Sequence, residues 1–194
     1  MMLMSRIELI ILILVATAMF SCQSEVRDEL PLNPNILFCI ADDWSYPHAG
    51  VYGDDVARTP NFDKLAKEGI LFNNAFTASP SCSPSRAAIL TGQEIYRLED
   101  GGLLFGTLSQ KYPRYNALLG EAGYAVGSTG KAYGPSDMTT EGWQENPAGK
   151  EYLEIELDAP EGIRNTDYAA NFDAFLNDNK DGILVWCFRT SSKV

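Results

Sequence analysis

The stretch Asn35-Ile36-Leu37-Phe38-Cys39-Ile40-Ala41 decides the fold class, because it contains an apolar run rich in strand-forming residues and is bounded by Pro34 and Asp42. Continuous runs of strand-forming residues are typical of strands that are covered on both faces, as in parallel sheets. A second run of this kind is Ile183-Leu184-Val185-Trp186-Cys187-Phe188. The two runs predict buried strands, with Cys39 and Cys187 as buried, unpaired thiols.

Helical signals lie between these strands, as caps or prolines at the start and glycines at the end. Four helices are predicted: from Thr59-Pro60 to Gly69, from Ser83-Pro84 to Gly92, from Pro113 to Gly123, and from a cap at Thr166 onward. Two shorter strands are predicted at residues 70–76 and 124–128. The alternation predicts a layered α/β fold, in which ligands collect at the carboxyl ends of the strands.

The composition is that of an ordinary globular chain. The 194 residues are 45% hydrophobic and 21% charged, which excludes a disordered, collagen-like or multi-pass membrane protein. Acidic residues outnumber basic ones by 26 to 15, and no run of Lys or Arg offers the basic face that binds nucleic acid. His48 is the single histidine, which excludes a His-rich metal site, and the four cysteines form no CxxC pair for structural zinc.

The N-terminus has the pattern of an export signal. Residues 9–20 are apolar apart from one threonine, and this run is shorter than the roughly 20 residues that span a bilayer. Ser21-Cys22 and a polar stretch follow, which resembles a bacterial lipoprotein processing site. We predict a signal peptide at 1–21, a tether at 22–34 with a lipid on Cys22, and an exported protein held to a membrane in the periplasm or cell envelope. A plain secretory signal and an uncleaved anchor are the alternatives.

Adjacent carboxylates follow the first strand, at Asp42-Asp43. Two neighbouring negative charges at a strand end repel each other unless a cation lies between them. Ca²⁺ and Mg²⁺ take oxygen ligands, so a hard divalent cation is one interpretation of the pair. A solvated turn with an acidic helix cap is the other, and the pair alone favours it.

Cysteine and arginine lie one helical turn apart in Cys82-Ser83-Pro84-Ser85-Arg86. With Ser83 as N-cap and Pro84 at the first helical position, Cys82 lies just outside a helix N-terminus, where free N–H groups and the dipole favour an anion. Arg86 can reach the same place with a guanidinium that suits an oxyanion. The alternative is a buried cysteine near a helix cap with a surface arginine.

A third candidate is Gly130-Lys131, which follows the strand predicted at 124–128. A lysine at a strand end can point its ammonium group into a cleft. A solvated lysine is the simpler interpretation of this dipeptide alone.

Together these motifs resemble the type I sulfatases. The stretch Pro80-Ser81-Cys82-Ser83-Pro84-Ser85-Arg86-Ala87-Ala88-Ile89-Leu90-Thr91-Gly92 is similar to the family signature, whose centre is Cys-x-Pro-x-Arg. Residues 33–43 and 59–66 resemble the start of the family, and Gly123-Tyr124 to Gly130-Lys131 resembles its second signature. The resemblance implies an alkaline-phosphatase-like α/β sandwich with helices on both faces of a mostly parallel central sheet, incomplete here at the C-terminus.

The resemblance also implies a mechanism. Cys82 would be oxidised during export to formylglycine, an aldehyde whose hydrate attacks the sulfur of a sulfate ester. Asp42 and Asp43 would bind calcium, or alternatively magnesium, together with the modified Cys82. Arg86 would hold the hydrate, and Lys131 would contact the sulfate as charge grows in the transition state. The implied partners are a sulfated carbohydrate or other sulfate ester and the enzyme that makes formylglycine.

The sequence departs from the family pattern in two places. The histidine that usually stands close behind the lysine of the second signature is missing, because Ala132-Tyr133-Gly134 follows Lys131. The family's downstream histidine loop and Asp-Asn metal pair have no counterpart, and we expect a structural or substrate-edge role for His48. We therefore expect residues 35–194 to be a truncated sulfatase N-terminal domain, with weak calcium binding, little turnover and an exposed strand at 183–188.

Two other functions are compatible with the sequence. A phosphodiesterase or phosphonate hydrolase of the same superfamily would use the same fold and the same aldehyde. A catalytically inactive, lipid-anchored fragment would bind anions or nothing. The motif around Cys82 favours the sulfatase, whereas the lack of the downstream ligands favours the inactive fragment for these 194 residues.

Overall fold

A computed structural model describes residues 33–131, 133–135, 137–161 and 165–190, with the backbone alone at 188–190. The signal peptide predicted at 1–21, the lipid-carrying Cys22 and the tether up to residue 32 lie outside the described residues. Within the described part, no helix is both long and apolar enough to cross a membrane.

In the described part of the chain, four parallel strands form one sheet in the order β1-β4-β2-β3. The strands are β1 Ile36–Ala41, β2 Ala125–Gly130, β3 Lys150–Glu151 and β4 Leu184–Thr190. In the centre, β4 places Cys187 opposite Phe38 of β1 and Trp186 opposite Gly127 of β2. The layered α/β fold predicted from the alternation is confirmed, and so is the mostly parallel sheet that the resemblance implies.

The sheet order decides which of the two apolar runs is buried. The burial predicted from the run at 183–188 is confirmed, whereas the burial predicted for the first strand and the exposure expected of 183–188 in a truncated domain are wrong. The strand at 183–188 was expected to be exposed, yet both edges of β4 are paired and Val185 and Trp186 are only 1% exposed. The edge position belongs to β1 instead, where Leu37 is 54% exposed and Cys39 is exposed as well. Of the two thiols predicted to be buried, Cys187 is partly buried and Cys39 is not buried.

The strand predicted at 70–76 is also wrong, because these residues form turns and loop. Ile70, Phe72 and Phe76 are 81%, 70% and 90% exposed. Residues with high strand propensity form a strand only where a neighbouring strand supplies hydrogen bonds and a face to bury. The sheet of the described residues offers this stretch neither.

The described residues include four α-helices, close to the predicted positions: α1 Pro60–Glu68, α2 Cys82–Thr91, α3 Tyr115–Glu121 and α4 Tyr168–Asp178. They also include three short 3-10 helices, at Gly50–Tyr52, Ile95–Arg97 and Glu99–Gly102. Two predicted caps are displaced. Asp167 rather than Thr166 caps α4, since its side chain accepts the N–H of Ala170. The cap of α2 is Ser81 in extended conformation, so Cys82 is the first helical residue rather than the residue outside the helix.

Helices lie on both faces of the sheet. Successive residues of a strand point to opposite faces, so the contacts of Trp186 and Cys187 in β4 show what covers each face. Trp186 packs on Phe175 of α4 with ring centroids 4.6 Å apart, and both side chains are 1% exposed. Cys187, the next residue of β4, interacts with Tyr115 of α3 and Arg86 of α2. The sheet is therefore a middle layer, and α2 is fixed against its second face.

Candidate active site

The carboxyl edge of the sheet gathers residues that are far apart in the sequence. Asp42 directly follows β1 and Lys131 directly follows β2, and these two strands flank β4. Because the strands are parallel, their carboxyl ends share one edge, and Lys131 Nζ lies 3.4 Å from Asp42 Oδ2. The side chain of Asp42 is 9% exposed and that of Lys131 is 37% exposed, so the ion pair is partly shielded from water.

Arg86 reaches the same loop from α2. It is only 4% exposed, and its Nη1 donates a hydrogen bond to the backbone carbonyl of Lys131. Burial lowers the pKa of Arg86 to about 10, while the nearby Cys187 and Cys82 act in the opposite direction. Since burial disfavours the charged guanidinium, an anion placed beside it would be attracted strongly.

Cys82 is shared by two clefts of about 470 and 510 Å³. The first is also lined by Asp42, Asp43 and Arg86, and the second by Lys131. As the first residue of α2, Cys82 lies at a helix end whose free N–H groups favour negative charge. The structure thus brings all five residues predicted for the site to two clefts that meet at the cysteine.

The two aspartates differ in their surroundings. Asp43 is exposed and has a φ of 57°, in the left-handed region, whereas the Asp42 side chain is largely buried. Aspartate tolerates this conformation better than most residues, and strain of this kind is often found at functional sites. Both side chains supply the hard oxygen donors that calcium and magnesium prefer. Among the described residues, no group of three or more His, Cys, Asp or Glu side chains could hold a metal ion. The candidate metal ligands at this edge are therefore the two carboxylates of Asp42 and Asp43.

His48 lines neither of the two clefts. Its Nδ1 lies 3.1 Å from Asp54 Oδ2, and its side chain is 61% exposed. Hydrogen bonds from the Ala57 backbone, from His48 and from the Val56 backbone lower the pKa of Asp54. This geometry suits a structural role for His48 in the loop that follows β1.

A buried network behind Lys131 has no signal in the sequence. The hydroxyl of Tyr133 donates to Glu141 Oε2, while Glu141 Oε1 accepts the backbone N–H of Leu108 at 2.8 Å. Burial and the interaction with Glu141 raise the pKa of Tyr133, and Arg114 acts on the same hydroxyl in the opposite direction. The network ties the loop that carries Lys131 to the rest of the domain. Tyr133 and Glu141 are eight residues apart, and Leu108 is 33 residues before Glu141, so neither contact follows the period of a helix or a strand.

Gly134 is a second residue that the sequence did not single out. A Cβ atom at this position would stand 2.3 Å from Cδ and 2.8 Å from Nε of Arg86. No side chain can therefore occupy position 134 while Arg86 keeps its place.

This edge of the sheet places a helix N-terminus, the guanidinium of Arg86 and the ammonium group of Lys131 around adjoining clefts, and such surroundings suit an anionic group. The family model for sulfatases matches residues 34–190, and the chain therefore belongs to the sulfatase family.

Individual relatives agree with this assignment. The human N-acetylgalactosamine-6-sulfatase is 52% identical over 63 residues, which are 32% of this chain and 12% of that protein. The N-acetylglucosamine-6-O-sulfatase of Bacteroides thetaiotaomicron is 35% identical over 124 residues, which are 63% of this chain and 22% of that protein. The chain thus spans less than a quarter of the length of these curated relatives.

A solved structure shows the same fold. It is described as a complex with its substrate D-glucosamine-2-N,6-O-disulfate, and it superposes with a TM-score of 0.60 at 24% identity. The superposition covers 83% of this chain and 35% of that chain. The predicted alkaline-phosphatase-like architecture is confirmed by this likeness.

Proposed function

We propose that this chain carries the nucleophile of a formylglycine-dependent sulfatase that hydrolyses sulfate esters of carbohydrates. The observation that supports the proposal most is the place of Cys82, at the first position of α2 and between the cleft of Arg86 and the cleft of Lys131. An anion at this point meets the free N–H groups of a helix, a guanidinium and an ammonium group. A sulfate monoester carries one negative charge spread over its oxygens, which matches this surrounding.

Residue 82, Arg86 and Lys131 have different roles in the proposed reaction. Once Cys82 has been converted to formylglycine, one hydroxyl oxygen of the aldehyde hydrate attacks sulfur while the bond from sulfur to the sugar oxygen breaks and the alcohol leaves with a proton. The second hydroxyl of the hydrate then loses its proton and expels sulfate, which restores the aldehyde, and water renews the hydrate. Arg86 is oriented by its bond to the Lys131 carbonyl and binds oxyanions beside residue 82. Lys131 donates to a sulfate oxygen as negative charge grows, and Asp42 keeps its ammonium group at this edge beforehand.

Asp42 and Asp43 are the residues that would hold calcium or magnesium. Their carboxylates fit a hard cation, and they line the same cleft as Cys82 and Arg86. When bound, the metal supplies positive charge that polarises the ester oxygens. We propose calcium as the ion, in keeping with the family resemblance.

Support for a carbohydrate substrate comes from the relatives. Two of them are named as 6-sulfatases of N-acetylated hexosamines, and the structural neighbour is described with a sulfated glucosamine. We therefore propose a 6-O-sulfated hexosamine as the first substrate to test. Because the selectivity of an enzyme depends on the residues around its site, the hydrolysis assay below tests this choice directly.

Export is part of the same proposal. A signal peptide at 1–21 and a lipid on Cys22 would place the site outside the cytoplasm, and export would bring the chain to the enzyme that oxidises Cys82. Replacing Cys22 with alanine should release soluble protein or block processing. Unchanged membrane association of this variant would instead indicate an uncleaved anchor.

Modification of Cys82 is the first test of the function. The chain is produced together with a formylglycine-generating enzyme, and its tryptic peptides are examined by mass spectrometry and with an aldehyde-reactive probe. We expect the aldehyde in the parent chain and in the matched control Cys39→Ala, and its loss in Cys82→Ala. An unmodified Cys82 thiol beside a maturation enzyme of proven activity would contradict the proposal.

Hydrolysis is the second test. The modified chain is offered 6-O-sulfated N-acetylglucosamine and, in parallel, a phosphonate monoester. Release of sulfate that requires Cys82 supports the sulfatase. A faster, Cys82-dependent cleavage of the phosphonate would favour the sister activity of the superfamily instead.

A further inference from the structure

An apolar tip lies beside the active site and has no role in the chemistry described above. Its residues Leu103, Leu104 and Phe105 follow one another and are 60%, 53% and 80% exposed. Three consecutive exposed apolar residues are unusual on a protein surface and indicate a place of contact.

The loop that carries the tip is anchored at both ends by buried residues. At its two ends, Leu98 and Leu108 are fully buried in an apolar cluster with residues of α2. Between them, a Cβ at Gly106 would stand 1.7 Å from the carbonyl oxygen of Asp100, so the chain turns back too closely for any residue but glycine. The backbone N–H of Gly106 closes the turn by donating to the carbonyl of Leu103 at 3.1 Å. The same helix that begins with Cys82 thus fixes the loop.

Phe105 is the residue of the tip that reaches the active site. It lines the cleft of about 510 Å³ that Cys82 and Lys131 also line. Its φ is 60°, in the left-handed region, which aromatic residues rarely adopt. Such strain persists only where the surrounding structure enforces it, and it is concentrated at functional sites. An exposed, strained phenylalanine beside a nucleophile calls for a functional explanation.

We propose that Phe105 is a specificity-determining residue that packs against the C–H face of the substrate's sugar ring while Cys82 and Lys131 hold the sulfate group. The proposal rests on the proposed function as a carbohydrate sulfatase. A sulfated pyranose combines an apolar ring face with an anionic ester, and this cleft presents an aromatic ring and a cationic group to match. Aromatic side chains provide a large contact area at a small cost in conformational entropy.

Calorimetric titration of the chain with 6-O-sulfated N-acetylglucosamine and, separately, with inorganic sulfate tests the proposal. The change Phe105→Ala should weaken binding of the sugar by about 3- to 10-fold and leave binding of sulfate unchanged. The change Phe105→Tyr should retain most of the sugar affinity, because the ring remains. Leu104→Ala is the matched control, since it removes an exposed side chain of the same tip and should change neither affinity.

Each of the other outcomes counts against the proposal. An unchanged sugar affinity in Phe105→Ala overturns it, and so does an equal loss of affinity for sugar and sulfate. A lowered melting temperature with unchanged sugar affinity would identify the tip as a packing surface for another protein segment and would overturn it as well. A parent chain that binds neither ligand refutes both this inference and the proposed function, whereas sugar binding that is indifferent to Phe105 refutes the inference alone.

Discussion

Gly134 is the position at which a single methyl group should perturb the site most. In Gly134→Ala the new Cβ would stand 2.3 Å from Cδ of Arg86, 2.8 Å from Nε and 3.1 Å from Cζ. Ordinary contact begins at 3.4 Å, so the closest pair must separate by 1.1 Å, the difference between 3.4 and 2.3 Å. Arg86 is 4% exposed and bonded to the Lys131 carbonyl, so it cannot move away without weakening that bond or lifting the loop.

Two effects of this displacement can be estimated. The free energy of unfolding should fall by about 1–3 kcal/mol, the usual cost of overpacking. The affinity for sulfate should fall by about 10- to 100-fold, because a hydrogen bond to a charged group contributes about 1.5–3 kcal/mol and depends on geometry. The matched control is Gly120→Ala on an exposed part of α3, where a Cβ meets only Val126 Cγ2 at 3.7 Å. Alanine should stabilise this helix by about 0.5–1 kcal/mol, so the two variants should change stability in opposite directions.

Urea unfolding followed by tryptophan fluorescence measures the stability of both variants, and calorimetric titration measures their affinity for sulfate. The double variant Gly134→Ala/Arg86→Ala should have the same free energy of unfolding as Arg86→Ala alone, because the side chain that clashes with the new methyl group is gone. If Gly134→Ala unfolds at the same urea concentration and binds sulfate as tightly as the parent chain, Arg86 does not fill the space beside Gly134. The anion site assigned to these residues would then be wrong.

Three further predictions concern neighbouring residues. Arg86→Met removes the guanidinium that donates to the Lys131 carbonyl and should abolish the stabilisation of the chain by sulfate, which urea unfolding with and without sulfate measures; undiminished stabilisation by sulfate would contradict the anion site. Because Phe105 has a φ of 60°, Phe105→Gly should be more stable than Phe105→Ala by about 1 kcal/mol in the same assay, and equal midpoints would contradict the strain. Tyr133→Phe leaves Glu141 Oε2 without the Tyr133 hydroxyl and should cost about 1–3 kcal/mol of unfolding free energy, whereas no loss would show that the carboxylate does not depend on this bond.

Local signals in the sequence predicted α2 well, because a proline near the start of a helix and a glycine at its end each affect only the adjacent helical turn. The helix ends as predicted at Gly92, which adopts a φ of 64°, and begins within two residues of the predicted start. The sheet order was not accessible in this way. Whether β1 is covered depends on the strands beside it, so an apolar run predicted burial where Leu37 and Cys39 are exposed. The strand predicted at 70–76 is wrong for the same reason, because strand propensity does not show whether a neighbouring strand and a buried face are present.

In the candidate site, too, some residues could be predicted from the sequence and others could not. The side chains proposed for the chemistry, such as Asp42 and Cys82, could be named because their motifs resemble the family signatures, whereas their places at strand and helix ends alone left simpler interpretations open. Their roles stay predictions, but the structure places them around shared clefts. The residues that hold the site in shape could not be named, because Gly134 matters only through its closeness to Arg86 in α2 and Tyr133 only through Glu141, which in turn binds the Leu108 backbone.

The two signature segments, which look independent in the sequence, are a single unit in the structure. Arg86 belongs to the first signature and Lys131 to the second, and the guanidinium of one donates to the backbone carbonyl of the other. The carbonyl of Lys131 therefore orients the arginine, while the ammonium group of the same lysine is oriented by Asp42. One residue thus connects the helix that carries Cys82 with the end of β1. A displacement of the loop at Lys131 must then move both cationic groups together. Substitutions behind this loop should therefore weaken sulfate binding even though they leave Arg86 and Lys131, the side chains proposed to contact sulfate, in place.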